Sequence, residues 1–221
     1  MLRRALLLTM LLAPTTAVAG GWKTVAHQHG VKVMMRDVPG LSFPEIRTIA
    51  VLQADIYDVL AVLSDVGRYP QWMMRCAEAR RMDDRGDLEY LTYSRTGAPW
   101  PVSDRDAVYN AKVYPKLKQD LIMVRFRAVK DPRVPPRDGI VRLKNLHGYY
   151  ALKILGPRRV QIDYQLFADP GGWIPTWVGK ITAKRSVIKT IVNLRKQVRK
   201  TRGWYARRIA RWKKLEQKLR Q

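Results

Sequence analysis

Cysteine and histidine are scarce in this chain of 221 residues, which contains one Cys and three His. A single cysteine excludes an internal disulfide and a cysteine cluster for zinc. The histidines His27, His29 and His147 do not follow the H-x-x-x-H or H-E-x-x-H spacing of helical metal sites. We therefore predict no metal site and no cofactor.

Motifs for catalysis are also missing. The chain has no G-x-S-x-G elbow and no glycine-rich phosphate loop. Asp104 and Asp106 could act as a general acid and base, but bracing Arg105 between them is the simpler role. We predict no catalytic residue and a protein that is not an enzyme.

The N-terminus lacks the roughly 20 consecutive apolar residues that a membrane-spanning helix needs. Arg3 and Arg4 precede a short leucine-rich run at residues 5–12, and Ala17-Val18-Ala19 forms an A-x-A cleavage site. This pattern predicts a signal peptide over residues 1–19 and a periplasmic or secreted protein. A buried or anchoring N-terminal helix is the alternative.

Acidic residues are few: 18 Asp and Glu face 42 Lys and Arg, for a formal net charge of +24. Such a charge favours an anionic polymer or an anionic membrane surface. Export removes most nucleic acid from reach, so we predict membrane contact with anionic lipid and no nucleic acid partner. Basicity that serves only solubility is the alternative, and the pattern gives no oligomeric state.

The 47% hydrophobic content and seven Trp predict one folded domain with a large core. Apolar residues alternate along nine segments typical of strands, and residues 56–63 show the spacing of a short helix. A long helical pattern follows Pro175, with its apolar spacing interrupted near Lys184 and Arg185. The predicted strands are residues 30–38, 45–52, 79–82, 88–94, 106–114, 121–129, 140–143, 149–154 and 160–167.

Five short motifs occur in order along most of the chain. They are Gly21-Trp22, Gln71-Trp72, the run Pro99-Trp100-Pro101 with Ser103-Asp104-Arg105-Asp106, Gly139-Ile140-Val141-Arg142 and Asp169-Pro170-Gly171-Gly172 before Ile174-Pro175. Together they resemble the START (StAR-related lipid transfer) domain family, in the form of a bacterial exported member.

The resemblance implies an α+β helix-grip fold. In that fold a curved antiparallel β-sheet wraps around a long C-terminal α-helix, with a hydrophobic cavity between them. Residues 20–200 would form the START-like domain, and residues 201–221 would extend beyond it. The cavity would hold one hydrophobic ligand, namely a phospholipid, a sterol or a fatty acid.

Ligand-binding positions follow from the same resemblance and from the need for apolar walls with a few polar groups. Each apolar position could equally be an ordinary core residue, and either arginine could pair with Asp104 or Asp106 instead of a ligand. The predicted ligand-binding residues are Trp72, Trp100, Arg105, Tyr109, Arg142, Tyr149, Tyr164, Trp173, Trp177, Ile181 and Ile188.

One departure from the family pattern concerns head-group specificity. Members that transfer phosphatidylcholine carry a basic and an acidic residue around the Gln-Trp motif, where this chain has Tyr69 and Met73. Choline recognition is therefore not predicted.

The C-terminal segment, residues 201–221, combines one apolar helical face with many cations. A basic amphipathic helix with tryptophan predicts contact with an anionic membrane. Packing of the apolar face on the domain is the alternative. The predicted membrane-contact residues are Trp204, Arg207, Arg208, Arg211 and Trp212.

The sequence thus predicts an exported lipid-binding or lipid-transfer protein that exchanges its ligand at anionic membranes. Two alternatives remain open. A helix-grip enzyme of the cyclase or hydrolase type would need a polar, protonatable pocket, and a membrane-associated adaptor would have a filled pocket.

Overall fold

The structure is a computed structural model that describes residues 20–220 except 85, 87 and 173. The predicted signal peptide and Trp173 therefore lie outside the described residues.

In the part of the chain that the structure describes, ten strands form one sheet in the order β1-β2-β3-β10-β9-β7-β6-β5-β4, and β8 pairs with β6. All neighbours are antiparallel except β8, which runs parallel to β6. The strands are β1 Lys23–Gln28, β2 Val31–Arg36, β3 Glu45–Leu52, β4 Cys76–Asp84, β5 Glu89–Thr96, β6 Asp104–Lys116, β7 Leu121–Ala128, β8 Ile140–Arg142, β9 Leu146–Gly156 and β10 Arg159–Ala168.

Four α-helices accompany the sheet: α1 Ile56–Ser64, α2 Tyr69–Trp72, α3 Thr176–Lys200 and α4 Ala206–Arg220. The side chain of Asp55 accepts a hydrogen bond of 2.8 Å from the backbone N–H of Tyr57, so it caps the N-terminus of α1. The curved sheet with α3 across it confirms the predicted α+β helix-grip fold.

The two halves of α3 have different surroundings. From Val187 onwards its inward side chains, including Ile191 and Leu194, are buried in the core. None of its first eleven residues is buried, because this half covers a cavity instead of packed side chains. The interruption near Lys184 and Arg185 marks the boundary between the two halves.

Aromatic side chains fill the centre of the sheet beneath α3. The rings of Tyr150 and Tyr164 stack with centroids 4.3 Å apart, and Phe126 contacts both. A Cβ on Gly148 would lie 2.6 Å from Phe126 Cζ and 2.1 Å from the Gln165 carbonyl oxygen. Glycine at this position therefore lets Phe126 lie directly against β9.

Helix α4 packs against the end of the sheet that lies away from the cavity. Trp212 is 5% exposed and joins the core beside Leu60, Val113 and Ile122. The Tyr205 hydroxyl donates a hydrogen bond of 2.7 Å to the carboxylate of Asp65. The apolar face of α4 thus contacts the domain. Of the helices that the structure describes, none has the length and apolar character needed to cross a membrane.

Candidate functional site

A cavity of about 340 Å³ lies between the first half of α3 and one end of the sheet. An apolar cavity of about 150 Å³ is already large enough to bind benzene. The apolar walls come from the ends of β2, β3, β9 and β10, from five loops and from α3. They include Met35, Phe43, Ile46, Met73, Met74, Val102, Leu143, Leu146, Leu166, Ile174, Val178 and Val187.

Small side chains on the inner face of α3 leave this space open. Gly179, Ala183 and Ser186 recur at helical spacing and line the cavity with Thr182 and Thr190. A Cβ on Gly179 would lie 2.3 Å from Phe43 Cε1, so glycine allows the helix to approach the wall closely. The large apolar residues Trp177 and Ile181 are absent from this inner face.

The charged groups of the cavity are all cationic. Arg75, Arg105 and Lys180 line it, and no Asp, Glu or His does so among the described residues. Tyr164 also lines the wall, and burial raises its pKa to about 12, so its hydroxyl stays neutral. This lining can bind the apolar part of a ligand and form an ion pair with an anionic group.

Arg105 lies at the base of the cavity, where it connects β6 to the turn before α3. Its Nε donates to the Pro170 carbonyl at 3.1 Å and its Nη2 to the Gly171 carbonyl at 3.1 Å. Its Nη1 donates to the Ser103 carbonyl. Burial lowers the pKa of Arg105 from its usual value, because the charged guanidinium is poorly hydrated there.

Arg142 has a different environment. Its guanidinium forms a two-point ion pair with Asp106, at 2.6 Å from Nε and 3.0 Å from Nη2. It also donates to the carbonyls of Val134 at 3.0 Å and Pro135 at 3.3 Å. The hydrogen bonds to Asp106 raise the pKa of Arg142. Arg142 therefore ties the loop before β8 to β6, outside the cavity lining.

The structure brings Arg105 and Tyr164 together in the cavity. The other predicted ligand-binding residues that the structure describes lie outside the cavity lining, and the ligand-binding role of each residue stays a prediction. Trp72 and Ile188 are buried in the adjoining core, Tyr109 packs against Phe126, and Tyr149 is half-buried on β9. Trp100, Trp177 and Ile181 are 92%, 68% and 40% exposed, respectively.

Sequence reasoning missed most of the cavity wall because it favoured tryptophan and tyrosine. The walls are instead aliphatic and methionine-rich, as at Met73 and Leu146. The repeat of small residues at Gly179, Ala183 and Ser186 was the available signal. It indicates a helix face that covers an empty space.

The predicted membrane-contact residues lie around α4. Trp204 is about half exposed and stacks with Arg68, whose guanidinium carbon lies 5.1 Å from the ring centroid. Arg207 and Arg211 are exposed, and Arg208 is half-buried. Trp212 is buried against the domain, so its contact with a membrane would require α4 to leave its place.

Comparison with known proteins places this geometry in a family. The family model for the START domain matches residues 6–202. An uncharacterized protein of Pseudomonas aeruginosa is 29% identical over 204 residues, which cover 90% of this chain and 100% of that protein. The phosphatidylcholine transfer protein of Bos taurus is 26% identical over 81% of this chain and 86% of its own length.

Solved structures show the same architecture. A STAR-related lipid transfer protein of Xanthomonas axonopodis matches with a TM-score of 0.73 and 35% identity, covering 81% of this chain and 99% of that one. Human STARD10 matches with a TM-score of 0.74 and 21% identity, covering 86% and 78%, and shares the fold. The family model spans most of the chain and the bacterial structure is well above 30% identical, so this protein belongs to the START domain family.

Proposed function

We propose that the protein binds one lipid in the cavity under α3 and transfers it between membranes. The observation that carries the proposal is the cavity itself, which is apolar over most of its wall and lies beneath one helix. Each CH₂ group removed from water contributes about 0.8 kcal/mol. A lipid chain would therefore gain several kcal/mol in such a site.

The names of the relatives support a lipid cargo. The bovine relative is a phosphatidylcholine transfer protein and the bacterial structure is a lipid transfer protein. Choline specificity is not part of the proposal. Tyr69 is buried and its hydroxyl donates to the Leu63 carbonyl at 2.6 Å, while Met73 is uncharged.

The lining supports a carrier over an enzyme. A cyclase or hydrolase needs a group that exchanges protons near neutral pH, and the described lining has no carboxylate or imidazole. Cys76 is buried, and burial raises its pKa to about 11, which disfavours the nucleophilic thiolate. The open cavity also disfavours an adaptor with a filled pocket.

The rim of the cavity is the proposed membrane-facing surface. Trp100 lies in the loop before β6, and two other residues of that loop, Pro99 and Val102, line the cavity. Trp177 lies in the sequence between Ile174 and Val178, which also line the cavity. Exposed tryptophan favours the membrane–water interface, where its ring meets lipid and its N–H meets water. We call Trp100, Trp177 and Ile181 the rim surface.

Charge supports an anionic membrane as the partner of the rim surface. The formal net charge of +24, or +22 once Arg3 and Arg4 are removed, attracts anionic lipid, and each Lys or Arg near the membrane surface contributes about 1 kcal/mol. Arg207 and Arg211 add to this field from α4, which lies at the far end of the sheet from the rim. The rim surface then holds the cavity against the bilayer for exchange.

The double variant Trp100→Ala with Trp177→Ala removes both rim tryptophans. It is expected to bind vesicles that contain phosphatidylglycerol about tenfold or more weakly than the unmodified protein. The reason is that burial of each large apolar side chain contributes about 1.5–3 kcal/mol. Flotation or co-sedimentation measures the bound fraction. Trp204→Ala is the matched control, because it removes an exposed tryptophan next to α4. A loss of vesicle binding in the control alone would place the docking surface on the tail.

Export to the periplasm is proposed together with the cargo, and one experiment addresses both. Native mass spectrometry of protein from the periplasmic fraction is expected to give a chain that begins at Gly20 and carries one lipid. Recovery of the chain only from the cytoplasmic fraction, with residues 1–19 retained, would contradict export. An empty chain that also takes up no added lipid would contradict the carrier function.

A further inference from the structure

The carboxylates nearest to Arg105 in the sequence are used elsewhere. Asp104 pairs with Arg95 and accepts a hydrogen bond of 3.0 Å from the Ala98 N–H. Asp106 holds Arg142 in the two-point pair described above. Side chains alternate between the two faces of a strand, so Asp104 and Asp106 lie on the face of β6 opposite to Arg105.

Arg105 consequently has no carboxylate within ion-pair distance among the described residues, although it is 9% exposed. A guanidinium carries five N–H donors. Three of them are used on the carbonyls of Ser103, Pro170 and Gly171, which leaves two. A buried cation without an anionic partner is costly, and Arg105 lines the cavity where a ligand would lie.

Two further cations surround the same space. Arg75 lines the cavity and makes no side-chain hydrogen bond or ion pair among the described residues. Lys180 also lines it and forms an ion pair with the exposed Asp37, at 3.3 Å. The described lining offers no carboxylate to a cationic head group. The electrostatic balance of the site therefore favours a head group with net negative charge.

We infer that the cavity selects an amphiphile with an anionic head, a carboxylate or a phosphate monoester, which pairs with Arg105 and is attracted by Arg75 and Lys180. This inference rests on the proposed function, because it names the class of lipid that the carrier takes. A charge-assisted hydrogen bond is roughly twice as strong as a neutral one. The guanidinium also presents parallel N–H groups that suit either anion.

The test compares head groups on one acyl chain. Oleate is matched with oleamide, and 1-oleoyl lysophosphatidate with 1-oleoylglycerol, each titrated into the lipid-stripped protein below its micelle concentration by calorimetry. The anionic member of each pair is expected to bind about 10- to 100-fold more tightly. The pair with the larger ratio identifies the carboxylate or the phosphate as the preferred anion.

Equal binding within each pair would overturn the inference and leave the carrier function intact. Absence of binding by all four amphiphiles would contradict the carrier function itself. The two failures are therefore distinguishable.

Variants separate the cavity from the general positive charge of the surface. Arg105→Gln is expected to reduce the preference for the anionic member of each pair to about threefold or less. Arg75 is exposed, and Arg75→Gln is expected to reduce this preference by a smaller amount. The control is Lys153→Gln, which removes one exposed charge seven residues along β9 from Leu146 and should keep the wild-type ratio. If Arg105→Gln does not fold, Arg75→Gln decides. A wild-type ratio in every folded cavity variant would assign the preference to surface charge and overturn the inference.

Discussion

Substitution of Ala183 by tryptophan is expected to reduce lipid binding on the order of 100-fold while the domain stays folded. Ala183 lines the cavity from the inner face of α3. An indole at this position would occupy space that about four CH₂ groups of a ligand need, and each contributes about 0.8 kcal/mol. Because the indole fills an existing apolar space, the thermal midpoint should change by only a few degrees.

The matched control is Ile181→Trp, two residues earlier on the same helix. Ile181 is 40% exposed and lies on the outward face, so a larger ring there leaves the cavity unchanged. Affinity for a fluorescent fatty acid, measured without vesicles, should match that of the unmodified protein. If Ala183→Trp is folded by circular dichroism and binds as well as the control, the ligand site lies outside the cavity.

The fold could be predicted from the sequence because its signals are local and repeated. β3 spans Glu45–Leu52, the same residues as in the prediction, because β-branched and other apolar residues dominate this segment, and its side chains alternate in burial from Ile46 to Leu52. β1 was missed because Lys23–Gln28 is mostly exposed and carries no alternating pattern. α2 was also missed, because proline usually interrupts a helix, but Pro70 lies in the first turn, where proline fits.

The site could be predicted only in part because hydrophobicity does not say which face of a helix meets a cavity. Trp177 and Ile181 have the large apolar side chains expected of a wall, yet they lie outward. The inner face is marked by small residues such as Ala183 and Ser186, whose significance depends on what lies opposite. Neither Asp104 nor Asp106 braces Arg105, and strand alternation alone could have indicated this.

Replacement of Asp106 by alanine is expected to lower the free energy of unfolding by about 3–5 kcal/mol. Asp106 is 1% exposed, and the Arg142 side chain that it holds is 15% exposed. Without the carboxylate, Arg142 keeps its charge in a poorly hydrated position with only the Val134 and Pro135 carbonyls as partners. Urea denaturation measures the loss as a lower transition midpoint.

The exposed ion pair between Asp37 and Lys180 supplies the control, since Asp37→Asn should cost about 1 kcal/mol or less. A double variant, Asp106→Leu with Arg142→Met, should recover much of the stability because it removes the buried charge together with its partner. If Asp106→Ala lowers the free energy of unfolding by less than about 1 kcal/mol, water must hydrate the Arg142 guanidinium in place of the carboxylate.

The same ion pair connects β6, the strand that carries Arg105, to the loop before β8. β8 pairs with the segment of β6 from Asp104 to Asp106. Arg105 lies between these two aspartates, whose side chains pair with Arg95 and Arg142 on the opposite face of the strand. Loss of Asp106 should therefore also increase amide exchange in residues 131–140, which Arg142 connects to β6 through Val134 and Pro135. Faster exchange there, with α1 unchanged, would show that Asp106 stabilises the loop directly. Uniformly faster exchange would instead indicate a global loss of stability.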